Sequence, residues 1–134
     1  MKEMLCDINQ TTQPIRPHKM FNNWEAVAKG WYVVCKSNEL KKYKTLSKTI
    51  FGHQLVIFRT ASGKTCALDA FCPHMGMDLV KGKVIGEDIK CLFHEWKFNG
   101  KGDCVDIPCL KEKVTKGKSA NSYPVEEKYG FIWV

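Results

Sequence analysis

Four residues within "CPHMGMDLVKGKVIGEDIKCLFHEWKF", positions 72 to 98, carry donor chemistry at a spacing that invites a metal. Cys72 and His74 form a C-x-H pair, sixteen residues intervene, and Cys91 and His94 form a C-x-x-H pair. Two thiolates and two imidazoles can hold one zinc ion tetrahedrally, or a two-iron cluster in which the cysteines take one iron and the histidines the other. The donor list admits both. A structural zinc clip commonly pairs a tight cysteine knuckle with histidines on a helix, and it often rescues a domain that has too little core. Here each half supplies one cysteine and one histidine, and both halves read as loops between strands, an arrangement that suits two facing loops gripping a cluster from opposite sides.

The elements that must position those loops are strands. From Trp31 onward the chain reads as short β segments, "WYVVCKS", "TLSKTIF", "QLVIFRT", "TCALDA", "IKCLF", "WKFN", "SYPVEE" and "FIWV". Gly52, "ASGK", "IGED" and "NGKGD" supply the turn residues between them. Upstream, "FNNWEAVAKGWY" offers Asn22 or Asn23 as the cap of a short helix that stops at Gly30. Residues 1–20, with Pro14 and Pro17, read as an arm, and 21–134 as one domain. Many short strands with no long amphipathic helix predict an antiparallel β-sandwich or small barrel.

A chain of 134 residues buries roughly two-thirds of its unfolded surface and needs no metal merely to fold. No apolar run reaches signal-peptide or membrane-span length, so the expectation is a soluble, cytoplasmic protein without a membrane span. In such a compartment seven cysteines do not imply disulfides. Cys6, Cys35, Cys66, Cys104 and Cys109 are expected to be small apolar fillers or free thiols, with no bridge between Cys104 and Cys109. The net charge of +7, from 21 basic and 14 acidic residues, gathers partly in "KSNELKKYKTLSK" and "KEKVTKGKSA". Those segments have little aromatic interleaving and read as solvated loops, so no nucleic-acid partner is expected; an acidic redox protein suits such a surface better.

Taken together, "GWYVV", "LVIFRTASGKTCALDAFCPHMG", "CLFHEWKFNGKG" and "YPVEEKYGFIWV" resemble, in order, a Rieske [2Fe-2S] domain, specifically the N-terminal cluster domain of Rieske-type non-haem iron oxygenases. The resemblance runs from about Trp24 to Val134 and implies an all-β fold with two cluster-binding loops. It also implies a [2Fe-2S] cluster with Cys72 and Cys91 on an inner iron and His74 and His94 on an outer one. In the respiratory branch of the family each loop carries a further cysteine, and the two form a bracing disulfide. The matching residues here are Met77 and Phe93, which places the chain with the oxygenase-like branch. In that branch a reductase or ferredoxin supplies the electron, and a mononuclear iron held by two histidines and a carboxylate in a separate domain receives it. His18 and His53 are the only histidines left over, and both read as surface residues, so that iron site is not expected within these 134 residues.

Two readings follow: the cluster domain of a longer or split oxygenase, or a stand-alone Rieske ferredoxin. The lead-in "FNNWEAVAKGWY" and an ending on "YGFIWV" with no polar tail favour the first. Around the ligands, Pro73 and Gly76 are expected to shape the first loop, Met75 and Met77 to pack, and Trp96 and Phe98 to alternate along a core strand. Glu95 stands where the family often has glycine, which leaves the second loop's conformation open. "ALDAFCPHMGMDL" and "CLFHEWKF" are similar to family members acting on steroids and other apolar ring compounds, whose substrate pocket lies in the other domain.

Overall fold

The computed structural model describes residues 29–108, 110 and 118–134. Residues 22–28 of the expected helix, which starts at Asn22 or Asn23 and stops at Gly30, lie outside these, as do the arm, His18, Cys6, Cys109 and most of "KEKVTKGKSA". The described chain is a set of short antiparallel strands, as expected: β1 Val33–Lys36, β2 Thr45–Ile50, β3 His53–Arg59, β4 Thr65–Asp69, β5 Lys83–Ile85, β6 Asp88–Lys90, β7 Lys97–Phe98, β8 Cys104–Asp106, β9 Ser122–Tyr123, β10 Glu126–Lys128 and β11 Phe131–Trp133. They form three sheets, ordered β1-β11-β10, β2-β3-β4-β9 and β5-β6-β7-β8.

The middle sheet organises the molecule. Along β3 the side chains alternate between two cores: Leu55 and Ile57 join Val34, Leu40, Ala67, Ile132 and Val134, whereas Val56 and Phe58 join Leu68, Leu79, Ile89, Trp96 and Phe98. Both faces of β3 are therefore covered, which is why "LVIF" is an unbroken apolar run rather than an alternating one. The expected sandwich is a layered one, with the β2-β3-β4-β9 sheet between the other two.

Tight turns fix the registers. The β2–β3 hairpin turns through Phe51 and Gly52 at φ 48 and 81, and the β10–β11 hairpin through Tyr129 and Gly130 at φ 56 and 76, the positive pair that a type I′ turn demands. Arg59 ties the middle sheet to the first. Its Nε donates to Leu40 O at 2.7 Å, its Nη atoms donate to Ser37 O and Gly63 O, and the same Nη atoms clasp both carboxylate oxygens of Glu127 on β10 at 2.9 and 3.2 Å.

Three sequence expectations shift. "IKCLF" is a strand only through Lys90, because the Cys91 N–H is taken by a loop carbonyl; β5 and β8, three residues each, were not foreseen. "SYPVEE" splits around Pro124 into β9 and β10, which belong to different sheets. "KSNELKKYKTLSK" is not simply a solvated loop, since it contains the buried Leu40 and the start of β2. His53 is exposed as expected, although it begins β3 rather than sitting in the turn. Among the described residues no helix is long and apolar enough to cross a membrane.

Candidate functional site

The two donor pairs sit on two loops that share one backbone plan. In the first, the Cys72 N–H donates to Met77 O at 2.8 Å; in the second, the Cys91 N–H donates to Trp96 O at the same distance. Each loop is thus closed from its cysteine to the fifth residue onward. In each, the fourth residue after the cysteine has positive φ: Gly76 at 73 and Glu95 at 61. The open question about Glu95 is answered here, since it adopts the backbone a glycine would supply, against the steric preference of an L-residue. Its carboxylate accepts from Lys90 Nζ at 2.7 Å, which holds the carboxyl below its usual range.

Neighbouring elements pin the loop ends. Phe71 and Asp78 bridge across the base of the first loop, the Asp78 carboxylate caps a 3₁₀ turn over Leu79–Lys81 by accepting from the Val80 N–H, and Leu79 is fully buried beneath. Gly82 then passes so close to Lys90 O that any side chain there would collide with it, which locks the tail of the first loop to the strand that leads into the second. This glycine is required by contact, not by its backbone angles.

The loops divide the four donors by burial. Cys72 and Cys91 are 3% and 2% exposed and lie close enough for each thiol to act on the other; His74 and His94 are exposed at the tip. Burial, and then the neighbouring Cys91, push the Cys72 thiol up to about 11, while backbone N–H groups of His74 and Met75 donate toward its sulfur and oppose the rise. Those N–H groups are oriented to stabilise a thiolate, and a bound cation would reverse the balance. The two imidazoles meet through Nδ1 atoms 3.1 Å apart. Two metal–nitrogen bonds of about 2.1 Å at a tetrahedral angle separate their nitrogens by about 3.4 Å, so this pair can serve one metal with little rearrangement.

Among the described residues no three His, Cys, Asp or Glu side chains gather to hold a single ion. Thiols meet thiols inside and imidazoles meet imidazoles outside, which fits a two-iron cluster with mixed ligation better than one tetrahedral zinc.

The surroundings hold residues whose part the sequence did not reveal. Trp96 is buried among the core as expected, though it lies just before β7 rather than on a strand, and its indole also stacks on the His74 imidazole, with centroids 4.3 Å apart and planes 9° from parallel. Lys118, in a segment read as a solvated loop, places Nζ 5.1 Å from the centre of that indole. Met77 packs against the core as expected, whereas Met75 is 65% exposed and, with Leu92 and Phe93, rims the histidine tip. Cys35 and Cys66 are buried free thiols and Cys104 is a half-buried one; none of the three has a disulfide.

Against known proteins, the family described as "Rieske [2Fe-2S] domain" matches residues 30–124. The chain is 33% identical over 133 residues to the aminopyrrolnitrin oxygenase of Pseudomonas fluorescens, an alignment covering 95% of this chain and 36% of that protein. It is 40% identical over 106 residues to the cholesterol 7-desaturase of Bombyx mori, covering 78% of this chain and 23% of the other. To a 3-ketosteroid-9-alpha-monooxygenase oxygenase component of Rhodococcus rhodochrous it is 37% identical, covering 80% and 27%. The crystal structure of dicamba monooxygenase superposes with a TM-score of 0.73 at 32% identity, over 78% of this chain and 33% of that one. The chain spans about a third or less of the length of these relatives.

Proposed function

The chain belongs to the Rieske [2Fe-2S] domain family, and from that premise we propose that it is the cluster domain of a Rieske-type oxygenase. It accepts single electrons from a reductase or ferredoxin and passes them to a mononuclear iron site outside these 134 residues. Cys72 and Cys91 hold the inner iron, and His74 and His94 the outer one. The observation that supports this most is the sorting of donors: two neighbouring free thiols buried, and two imidazoles in contact at the exposed tip.

When bound, the cluster supplies one-electron storage and transfer. The residues do the rest. The buried cysteines keep water from the inner side, and the N–H groups of His74 and Met75 place positive dipole ends toward sulfur, which favours added negative charge. The exposed histidines form the edge through which a docked partner exchanges the electron. Met75, Leu92 and Phe93 give that edge an apolar rim able to exclude water on contact. The relatives' printed names support an oxygenase setting, and several refer to sterol or ketosteroid chemistry, so an apolar ring compound is the substrate class we propose for the complete enzyme.

Ligand substitution tests the assignment. The chain loaded with iron and sulfide is expected to lose its colour in Cys72→Ser or Cys91→Ser. The double variant His74→Cys/His94→Cys is expected to fall from the Rieske range toward the roughly −400 mV of all-cysteine clusters. Mixing the loaded chain with NADH, a ferredoxin reductase and a plant-type ferredoxin should bleach its visible spectrum. A chain that holds its cluster yet is never reduced by that system would defeat the electron-transfer reading.

A further inference from the structure

The two loops lack the bracing disulfide of the respiratory branch, since Met77 and Phe93 occupy the matching positions. Something else must hold them at a fixed separation, because the histidine tip is exposed and a cleft of about 330 Å³ lined by Pro73, His74, Trp96 and Lys118 opens beside it. An exposed imidazole with open space alongside is free to leave its rotamer unless a contact prevents it.

Trp96 makes that contact. Its backbone belongs to the second loop, where its carbonyl closes the turn on the Cys91 N–H. Its side chain lies on the histidine of the first loop, nearly parallel at 4.3 Å, while remaining only 8% exposed within the core that also contains Cys72 and Cys91. One residue therefore joins both loops: rigid where it enters the core, stacked where it meets His74. The Lys118 ammonium over the indole adds a cation to the same stack, an arrangement that aromatic faces favour.

Resting on the ligand assignment proposed above, we propose that Trp96 is a positioning residue that braces the two loops in place of a disulfide by clamping the His74 ring, and that Lys118, seated on the indole, raises the cluster's reduction potential. A cation near the cluster site stabilises the reduced form, and at an effective dielectric between that of a protein surface and that of water its removal weakens reduction by about threefold to tenfold.

The test uses the 134-residue chain loaded with iron and sulfide, read by spectroelectrochemical titration and by electron paramagnetic resonance of the reduced state. Lys118→Met is expected to weaken reduction threefold to tenfold, about 30 to 60 mV lower at 59 mV per tenfold, with Lys118→Arg restoring the wild-type value. Trp96→Phe keeps a stacking ring and is expected to retain the wild-type g-values. Trp96→Leu is expected to broaden and shift them and to erase the difference between Met and Arg at position 118. If the leucine variant does not fold, the two Lys118 variants and Trp96→Phe decide. A Lys118→Met potential within experimental error of wild type, or a Trp96→Leu spectrum identical to wild type, overturns the proposal. A wild-type chain without a mixed-ligand spectrum would instead defeat the ligand assignment, so the two failures are distinguishable.

Discussion

Gly76 and Glu95 occupy equivalent positions in the two loops, so substitutions there should act with opposite signs. Gly76→Ala places a Cβ on a backbone at φ 73, in open space with no atom within 4 Å, so its effect is purely conformational. Holding an L-residue there costs about 1–2 kcal/mol. Reducing the freedom of the unfolded chain returns about 0.4–1 kcal/mol. The net is a loss of about 1 kcal/mol, which lowers the urea midpoint by roughly 0.5 M at the slope of a small domain. Glu95→Gly relieves the same kind of strain at φ 61 and gives up an exposed ion pair with Lys90 that contributes little, so it should not destabilise. Glu95→Ala keeps the strained backbone and loses only the pair, isolating that contribution. The assay is urea unfolding of the cluster-free chain by tryptophan fluorescence. If Gly76→Ala is as stable as wild type, or Glu95→Gly is the more damaging of the two, the shared loop plan is wrong.

Arg59→Met removes the clasp between the middle and first sheets and leaves the part-buried carbonyls of Ser37, Leu40 and Gly63 without their donor, which should cost about 3 kcal/mol, seen as a thermal midpoint roughly 10 °C lower; a shift under about 3 °C would show the clasp to be incidental. The Arg59 bond holds the Glu127 carboxyl below its usual range, so its contribution is present above the unfolded pKa and is lost as pH falls through the lower folded value. Wild type should therefore lose stability on acidification more steeply than Arg59→Met. Tyr123 is pushed up to about 12 by burial and by its hydroxyl donating to Asp69 at 2.6 Å. A raised folded pKa contributes below the unfolded value and is lost as pH rises through the folded one, so stability should fall as pH rises from 10 to 12. Tyr123→Phe should lack that slope, and equal slopes in alkaline denaturation would refute the assignment.

How much of this was legible in the sequence depends on how local the signal is. The β3 run and the glycines at 52 and 86 announce a buried strand and tight turns directly, because burial on both faces and positive φ each restrict residue type. The donor pairs were legible for a similar reason, since few combinations other than a metal site need Cys and His at that spacing. β5 and β8 were not, being three residues each and held by their neighbours rather than by their own pattern. Leu92 and Phe93 misled in the opposite direction: they look like strand continuation, yet the loop closes at Cys91 and leaves both exposed. Trp96 and Lys118 meet across 22 positions of sequence, and no local pattern reports such a contact.

The central claim is a cluster with thiolates inside and imidazoles outside, and one measurement addresses it directly. The chain reconstituted with iron and sulfide, then reduced, should be red-brown before reduction, contain about two iron and two sulfide per chain, and give a rhombic electron paramagnetic resonance signal of low average g. A colourless protein holding one tightly bound zinc, or a reduced spectrum typical of four cysteine ligands, would contradict it.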